Sequence, residues 1–191
     1  MADTLVVGLH SWIIQDGNYG DFARNTSAAF ALEFYASSLE MFESNPEPVP
    51  TLIRVGDADY EVVGQVIHVA DHWWAIDVGV LVFQETEPPA TVRQGSWLRG
   101  KISIGIDPFF YFERLAHQPG APALVYDWKV ERIEIQTAPL IETKPRVFVR
   151  DATKLGWREI LETKAWEDEG EYLLHCTRIG GPRSPRSKRH P

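Results

Sequence analysis

Tyr60-Glu61-Val62-Val63-Gly64-Gln65-Val66-Ile67-His68-Val69-Ala70-Asp71-His72-Trp73-Trp74-Ala75-Ile76-Asp77-Val78-Gly79-Val80-Leu81-Val82-Phe83 is the stretch on which the fold turns. Tyr60 to Val69 is a long β-branched run interrupted by Gly64, and Ala70-Asp71-His72 reads as a turn. Beyond it, Trp74, Ile76, Val78, Val80 and Val82 fall on one face of a strand, with Trp73, Ala75, Asp77 and Gly79 on the other. A period of two with this much apolar surface makes the first face core.

The same grammar continues in both directions. After a loop carrying Pro88 and Pro89, Leu98, Gly100, Ile102, Ile104 and Ile106 alternate inward, and Trp97, Arg99, Lys101 and Ser103 alternate outward. Asp107-Pro108 ends that pattern, because the residue before proline resists regular continuation. Upstream, Leu5 to Ile14 reads as a strand, and Asp16 to Asp21 is turn chemistry. In Ser27 to Phe42, Ala28, Phe30, Leu32 and Phe34 share one face, opposite Glu33 and Tyr35. The aromatic content favours a strand there over an Ala-rich helix. Pro46, Pro48 and Pro50 form an extended connector.

Downstream, Phe109-Phe110-Tyr111-Phe112 is expected to plug the core, and His117 to Pro122 to form a loop. Leu124, Tyr126, Trp128 and Val130 share one face, whereas Ile133 and Ile135 have the opposite parity, which predicts a bulge near Glu131-Arg132. Val147 to Val149 is a short strand. Asp151 to Trp166 reads either as a helix capped by Asp151 or, preferably, as a hairpin partner of Tyr172 to Ile179. These signals predict a mainly β protein, a Greek-key barrel or sandwich with at most one or two short helices. Residues 58–106 are similar in rhythm to the first three strands of an OB-type barrel, over about a quarter of the chain. That likeness is a pattern of strands and glycines and carries no family motif. Residues 1–179 are read as one domain and 180–191 as a flexible basic tail.

The 191 residues carry a net charge of −8, unevenly spread. Five of the 19 basic residues (Arg178, Arg183, Arg186, Lys188, Arg189) lie in 178–191 with no acidic one, leaving 14 against 27 acidic residues before them, a body of −13. Such a body repels phosphate backbones and attracts basic proteins. A lone cysteine, Cys176, excludes an internal disulfide and fits a reducing, cytoplasmic setting. It sits in an apolar run and reads as a buried hydrophobe. The N-terminal apolar stretch, broken by Gly8, His10 and Ser11, fits neither a signal peptide nor a membrane span.

Motifs for chemistry are sparse. There is no Gly-x-Ser-x-Gly elbow and no phosphate-binding glycine loop. His68, Asp71 and His72 cluster near a turn. On a continuous strand the two histidines would stand about 13 Å apart, too far to share an ion, and only a turn at Asp71 could fold them together as metal ligands; no metal and no cofactor is expected. Asp77 and Asp107 are the carboxylates placed to matter, if either lies in a cleft. The best binding candidate is an outward face of Trp73, Asp77, Trp97, Arg99 and Lys101, provided its tryptophans are exposed.

Three functions follow as expectations. The first is a non-enzymatic binding protein whose acidic body engages a basic protein, as an inhibitor or immunity-type protein would. The second is an OB-like binder of single-stranded nucleic acid through Trp73, Trp97, Arg99 and Lys101. The third is a small barrel hydrolase or isomerase using His68, Asp71, His72 or Asp77.

Overall fold

The β-branched and aromatic runs form strands, and the points where they break define two layers. The computed structural model describes residues 4–43, 47–167 and 170–185. In chain order the elements are β1 (Thr4–His10), α1 (Ser11–Gln15), β2 (Ser27–Phe30), β3 (Leu32–Phe42), β4 (Thr51–Arg54), β5 (Asp59–Val69), β6 (Trp74–Asp77), β7 (Leu81–Gln84) and β8 (Trp97–Ile106). There follow α2 (Phe110–Glu113), β9 (Val125–Gln136), β10 (Leu140–Lys144), β11 (Val147–Arg150), β12 (Trp157–Ile160) and β13 (Glu171–Arg183). The chain is mainly β, with 54% of residues in strands and two short α-helices, as the sequence predicts.

Five strands close into a barrel. β5, β6 and β7 form an antiparallel meander, β8 pairs back onto β5, and β3 closes the ring by pairing antiparallel with β8 and parallel with β7. The closing strand comes from in front of the meander in sequence. β4 adds to the open side of β5. A second layer extends from β8 through β1, β13 and β9, with β2 and β12 also pairing β9. The main core lies between the layers. There Trp128 stacks on Phe30 at 5.7 Å, and Phe34 meets Trp74 edge to face at 5.0 Å.

Gly100 allows the barrel to close. A Cβ there would stand 2.0 Å from the Ser38 carbonyl oxygen. That lies just past the β3–β8 register shift between Ala36 and Ser38. Gly79, at φ +97°, turns the chain between β6 and β7, aided by Asp77 Oδ1, which accepts from the Gly79 N–H at 2.8 Å. The single strand expected across 74–82 is therefore a hairpin.

Other expectations are corrected. The first strand stops at His10 and continues as α1. The 27–42 strand divides at Ala31, so that β2 serves β9 and β3 serves β8. The segment Trp157–Ile160 does not pair with residues 172–179. It lies on β9, whose other edge carries β13, because the backbone N–H and C=O groups of a central strand pair on both edges. Asp151 does cap a turn, accepting from the Thr153 N–H, but the turn is a short 3-10 segment. β13 runs on to Arg183, where Arg183 Nη2 meets Asp127 Oδ1 at 2.7 Å, so residues 180–183 belong to the sheet. Residues 186–191 of the expected tail lie outside the described residues. The bulge near Glu131 is present: His175 faces Arg132 and Cys176 faces Val130, leaving Glu131 as the extra residue.

Candidate functional site

The outward face read from the sequence does not assemble as an exposed aromatic patch. Trp73 is 1% exposed. It packs with Phe83, Tyr111 and Leu124 in a second core cluster, because α2 and the segment after it cover the outer side of β6. Its indole N–H donates to Gln118 Oε1 at 2.8 Å. Trp97 is 7% exposed, set between Phe42 of β3 and Gln65 of β5. Arg99 and Lys101 do reach solvent, but Arg99 is met by Glu40 at 3.1 Å and Lys101 by Asp59 at 3.7 Å. Their charge is thus locally cancelled. Asp77 is spent on the Gly79 turn.

The candidates for chemistry separate in the same way. Among the described residues, no group of His, Cys, Asp and Glu is placed to hold a metal ion. His68 lies against the Trp73 ring at 4.2 Å, and burial lowers its pKa. Asp71 and His72 are exposed turn residues. Asp107 is fully buried and caps α2, accepting from the N–H groups of Phe110 (2.9 Å) and Tyr111 (3.2 Å). Burial pushes its carboxyl up to about 8, and repulsion from buried Glu33 adds to this. A carboxyl without solvent access holds a helix end and has no substrate to reach. Cys176 is buried, and burial pushes its thiol up to about 12.

A different face carries exposed aromatic surface. Trp12 of α1 is 47% exposed, and Trp166 and Leu161, in the segment leaving β12, are each 72% exposed. The two segments are tied together. Gln15 Nε2 donates to the Ala165 carbonyl at 2.6 Å, and the Ser11 N–H donates to the Gly170 carbonyl at 3.0 Å. Asp21 Oδ1 accepts from Thr163 Oγ1 (2.8 Å) and from the Ala165 N–H (3.1 Å), which holds the base of the loop. Ala165 is buried in the main core, so the neighbouring Trp166 is turned outward on an anchored support. Asp16, Glu162, Glu167 and Glu171 are exposed around this face. Of the nearby basic side chains, Lys164 pairs with Glu167 at 3.6 Å, Arg24 with Glu159 at 2.6 Å, and His10 Nδ1 lies 3.8 Å from Glu171. Trp12 and Trp166 are open to solvent, and of the four carboxylates Glu167 and Glu171 are locally paired while Asp16 and Glu162 form no salt bridge with another described residue.

The helix alternative over 151–166 turns Leu161 inward, whereas the structure leaves it 72% exposed, and neither Trp12 nor Trp166 stands out in the sequence as a contact residue. Trp12 reads in the sequence as part of an apolar strand over Leu5 to Ile14. Trp166 carries a signal: it stands between small Ala165 and the charged run Glu167-Asp168-Glu169, with no large apolar neighbour with which to share a core face. A second exposed apolar surface is the β10–β11 hairpin, with Leu140, Ile141 and Phe148 open to solvent beside Lys144 and Arg146. Compared with known proteins, the chain matches no family model, no curated protein and no solved structure.

Proposed function

We propose that this protein is a non-enzymatic binding module that covers a basic surface of another protein, as an inhibitor or immunity-type protein does. Trp12, Leu161 and Trp166 are the contact residues. The observation that carries the reading is the pair of exposed tryptophans on two segments tied by the Gln15–Ala165 bond, with the carboxylates of Asp16 and Glu162 exposed on the same segments. Tryptophan is enriched among residues that dominate binding energy, and complementary acidic charge speeds encounter and selects the partner. With Arg178 and Arg183 counted in β13, the chain through Arg183 carries 16 basic against 27 acidic residues, and this charge of −11 supplies the long-range field.

The nucleic-acid reading draws less support. Its tryptophans are buried, its Arg99 and Lys101 are paired, and the net charge is unfavourable. The enzyme reading draws little support, since Asp77 is held in the Gly79 turn and His68 lies against the Trp73 ring. No helix among the described residues is long and apolar enough to cross a membrane. A single buried thiol fits a cytoplasmic setting.

The test is affinity capture from the source cell's extract with the wild-type chain and with a Trp12→Ala/Trp166→Ala variant. The wild type should retain a basic protein at low salt and release it as ionic strength rises from about 0.05 to 0.5 M. The variant should not retain it. Capture that ignores both salt and the tryptophans contradicts the reading.

A further inference from the structure

On another side of the molecule, a cleft of 590 Å³ opens between the barrel and the second layer. β4 forms one wall, the start of β1 and the middle of β13 form the other, and the β6–β7 turn with Trp128 forms the floor. Its surface is mostly apolar, with Leu52, Val80 and Trp128 facing the space. A volume of this size with apolar walls and a few polar groups is the usual form of a small-molecule site.

The ionisable lining is one-sided. Arg54, His175 and Arg178 line the cleft, and among the described residues no Asp or Glu does, in a chain of net charge −8. Two of these basic side chains have visible structural work. His175 Nε2 lies 2.7 Å from Glu134 Oε2, and the Arg178 guanidinium sits over the Tyr126 ring at 5.8 Å. The Tyr60 hydroxyl is also committed, donating to the Val6 carbonyl (2.8 Å) and accepting from the Val6 N–H (2.9 Å).

Arg54 differs from these. Its Nε donates to the carbonyls of Gly56 and Asp57, both at 2.9 Å, which fixes the plane of the guanidinium. Neither Nη carries a hydrogen bond or ion pair to another described residue. A guanidinium with its Nε anchored and its Nη pair open is the geometry that takes a carboxylate with two parallel bonds. Burial raises the Tyr60 pKa and the Arg54 charge works against it, so the guanidinium lies within electrostatic reach of the cleft wall.

We propose that this cleft binds a small amphipathic molecule. A single carboxylate head engages the Arg54 Nη pair, and an apolar body lies against Leu52, Val80 and Trp128. The site is separate from the Trp12–Trp166 face and stands or falls independently of it.

The test is calorimetric titration of the full chain with dodecanoate below its micelle concentration, with dodecylamine and a neutral N-acetylated, C-amidated valine-rich pentapeptide as comparisons. Dodecanoate should bind saturably with one site per chain. Arg54→Gln should weaken it by about tenfold or more, the loss of one charge-assisted pair. Leu52→Trp, which fills the space, should remove binding. Arg54 is exposed, so Arg54→Gln should keep the wild-type melting temperature without ligand and decides the question even if Leu52→Trp does not fold. Absence of saturable dodecanoate binding overturns the proposal, as does equal binding of dodecylamine or an unchanged affinity in Arg54→Gln. Stronger binding of the neutral pentapeptide also overturns it, and would mark the outer edge of β4 as a strand-docking groove.

Discussion

Asp107 and Glu33 bring two carboxyl groups into one buried corner of the protein, where the end of β8 meets the start of β3. The Asp107 N–H donates to the Ala31 carbonyl at 3.1 Å, two residues before Glu33. The Tyr35 hydroxyl donates to Glu33 at 2.8 Å, while Glu85, which adds to the repulsion on both carboxyls, is met by Arg114 at 2.7 Å. Burial raises the pKa of both Asp107 and Glu33.

The pH dependence of stability follows from this corner. An unfolded Asp loses its proton near pH 4, whereas folded Asp107 holds it to about 8. The folded chain therefore binds more protons between those values, and this site's contribution to stability falls as pH rises across the window. The slope is up to about 1.4 kcal/mol per pH unit for one proton. Glu33 acts with the same sign. Asp107→Asn keeps an acceptor for the α2 cap and removes the titration. Thermal melts from pH 5 to 9 should show the wild type losing stability relative to Asp107→Asn, and parallel curves would refute the assignment.

Gly100→Ala should be among the most damaging single changes. Its Cβ would fall 2.0 Å from the Ser38 oxygen and 3.0 Å from Leu39 Cα, both backbone atoms that cannot move without opening the β3–β8 pairing. Urea denaturation should show a loss of about 3 kcal/mol or more, as for other changes that force strain into a packed sheet.

Cys176 should be inert in the native state. It is buried and its thiol is pushed up to about 12, so little thiolate exists at neutral pH. A thiol reagent should modify it only after denaturant is added, with one equivalent per chain. Rapid native-state modification would place it on an accessible surface.

The β10–β11 hairpin should contribute little to folding. Ile141 and Phe148 are both exposed there, and a two-stranded ribbon gains little by itself. Ile141→Thr and Phe148→Ser should each change stability by no more than about 0.5 kcal/mol in chemical denaturation. A large loss would mean that the hairpin packs on the body.

Much of the barrel was legible because its strands obey a period of two. The alternation at Leu98 to Ile106 and at Leu124 to Val130 marks residues that are buried in the structure, and the parity switch at Glu131 marks a real bulge. What the period could not tell was which strands bury both faces. Trp73 and Ala75 look like a solvent face until α2 folds over them, and that contact joins residues some forty positions apart. The hairpin at Gly79 was hidden for a related reason, since Val78 and Val80 are buried on both sides of the turn. Partner choice at the sheet edge was also invisible: nothing local to Trp157–Ile160 distinguishes β9 from β13 as its neighbour. The Trp12–Trp166 face depends on a hydrogen bond spanning 150 positions, from Gln15 to Ala165, which no local pattern encodes.

The most direct test of that face is the affinity of the captured basic partner for the wild type, Trp12→Ala and Trp166→Ala, measured at two salt concentrations with folding checked by circular dichroism. Each tryptophan change should weaken binding by about tenfold or more, higher salt should weaken all three proteins, and Arg99→Gln on the barrel should bind as the wild type does. Full affinity in Trp12→Ala and Trp166→Ala, or loss of binding in Arg99→Gln alone, would contradict the assignment of the face.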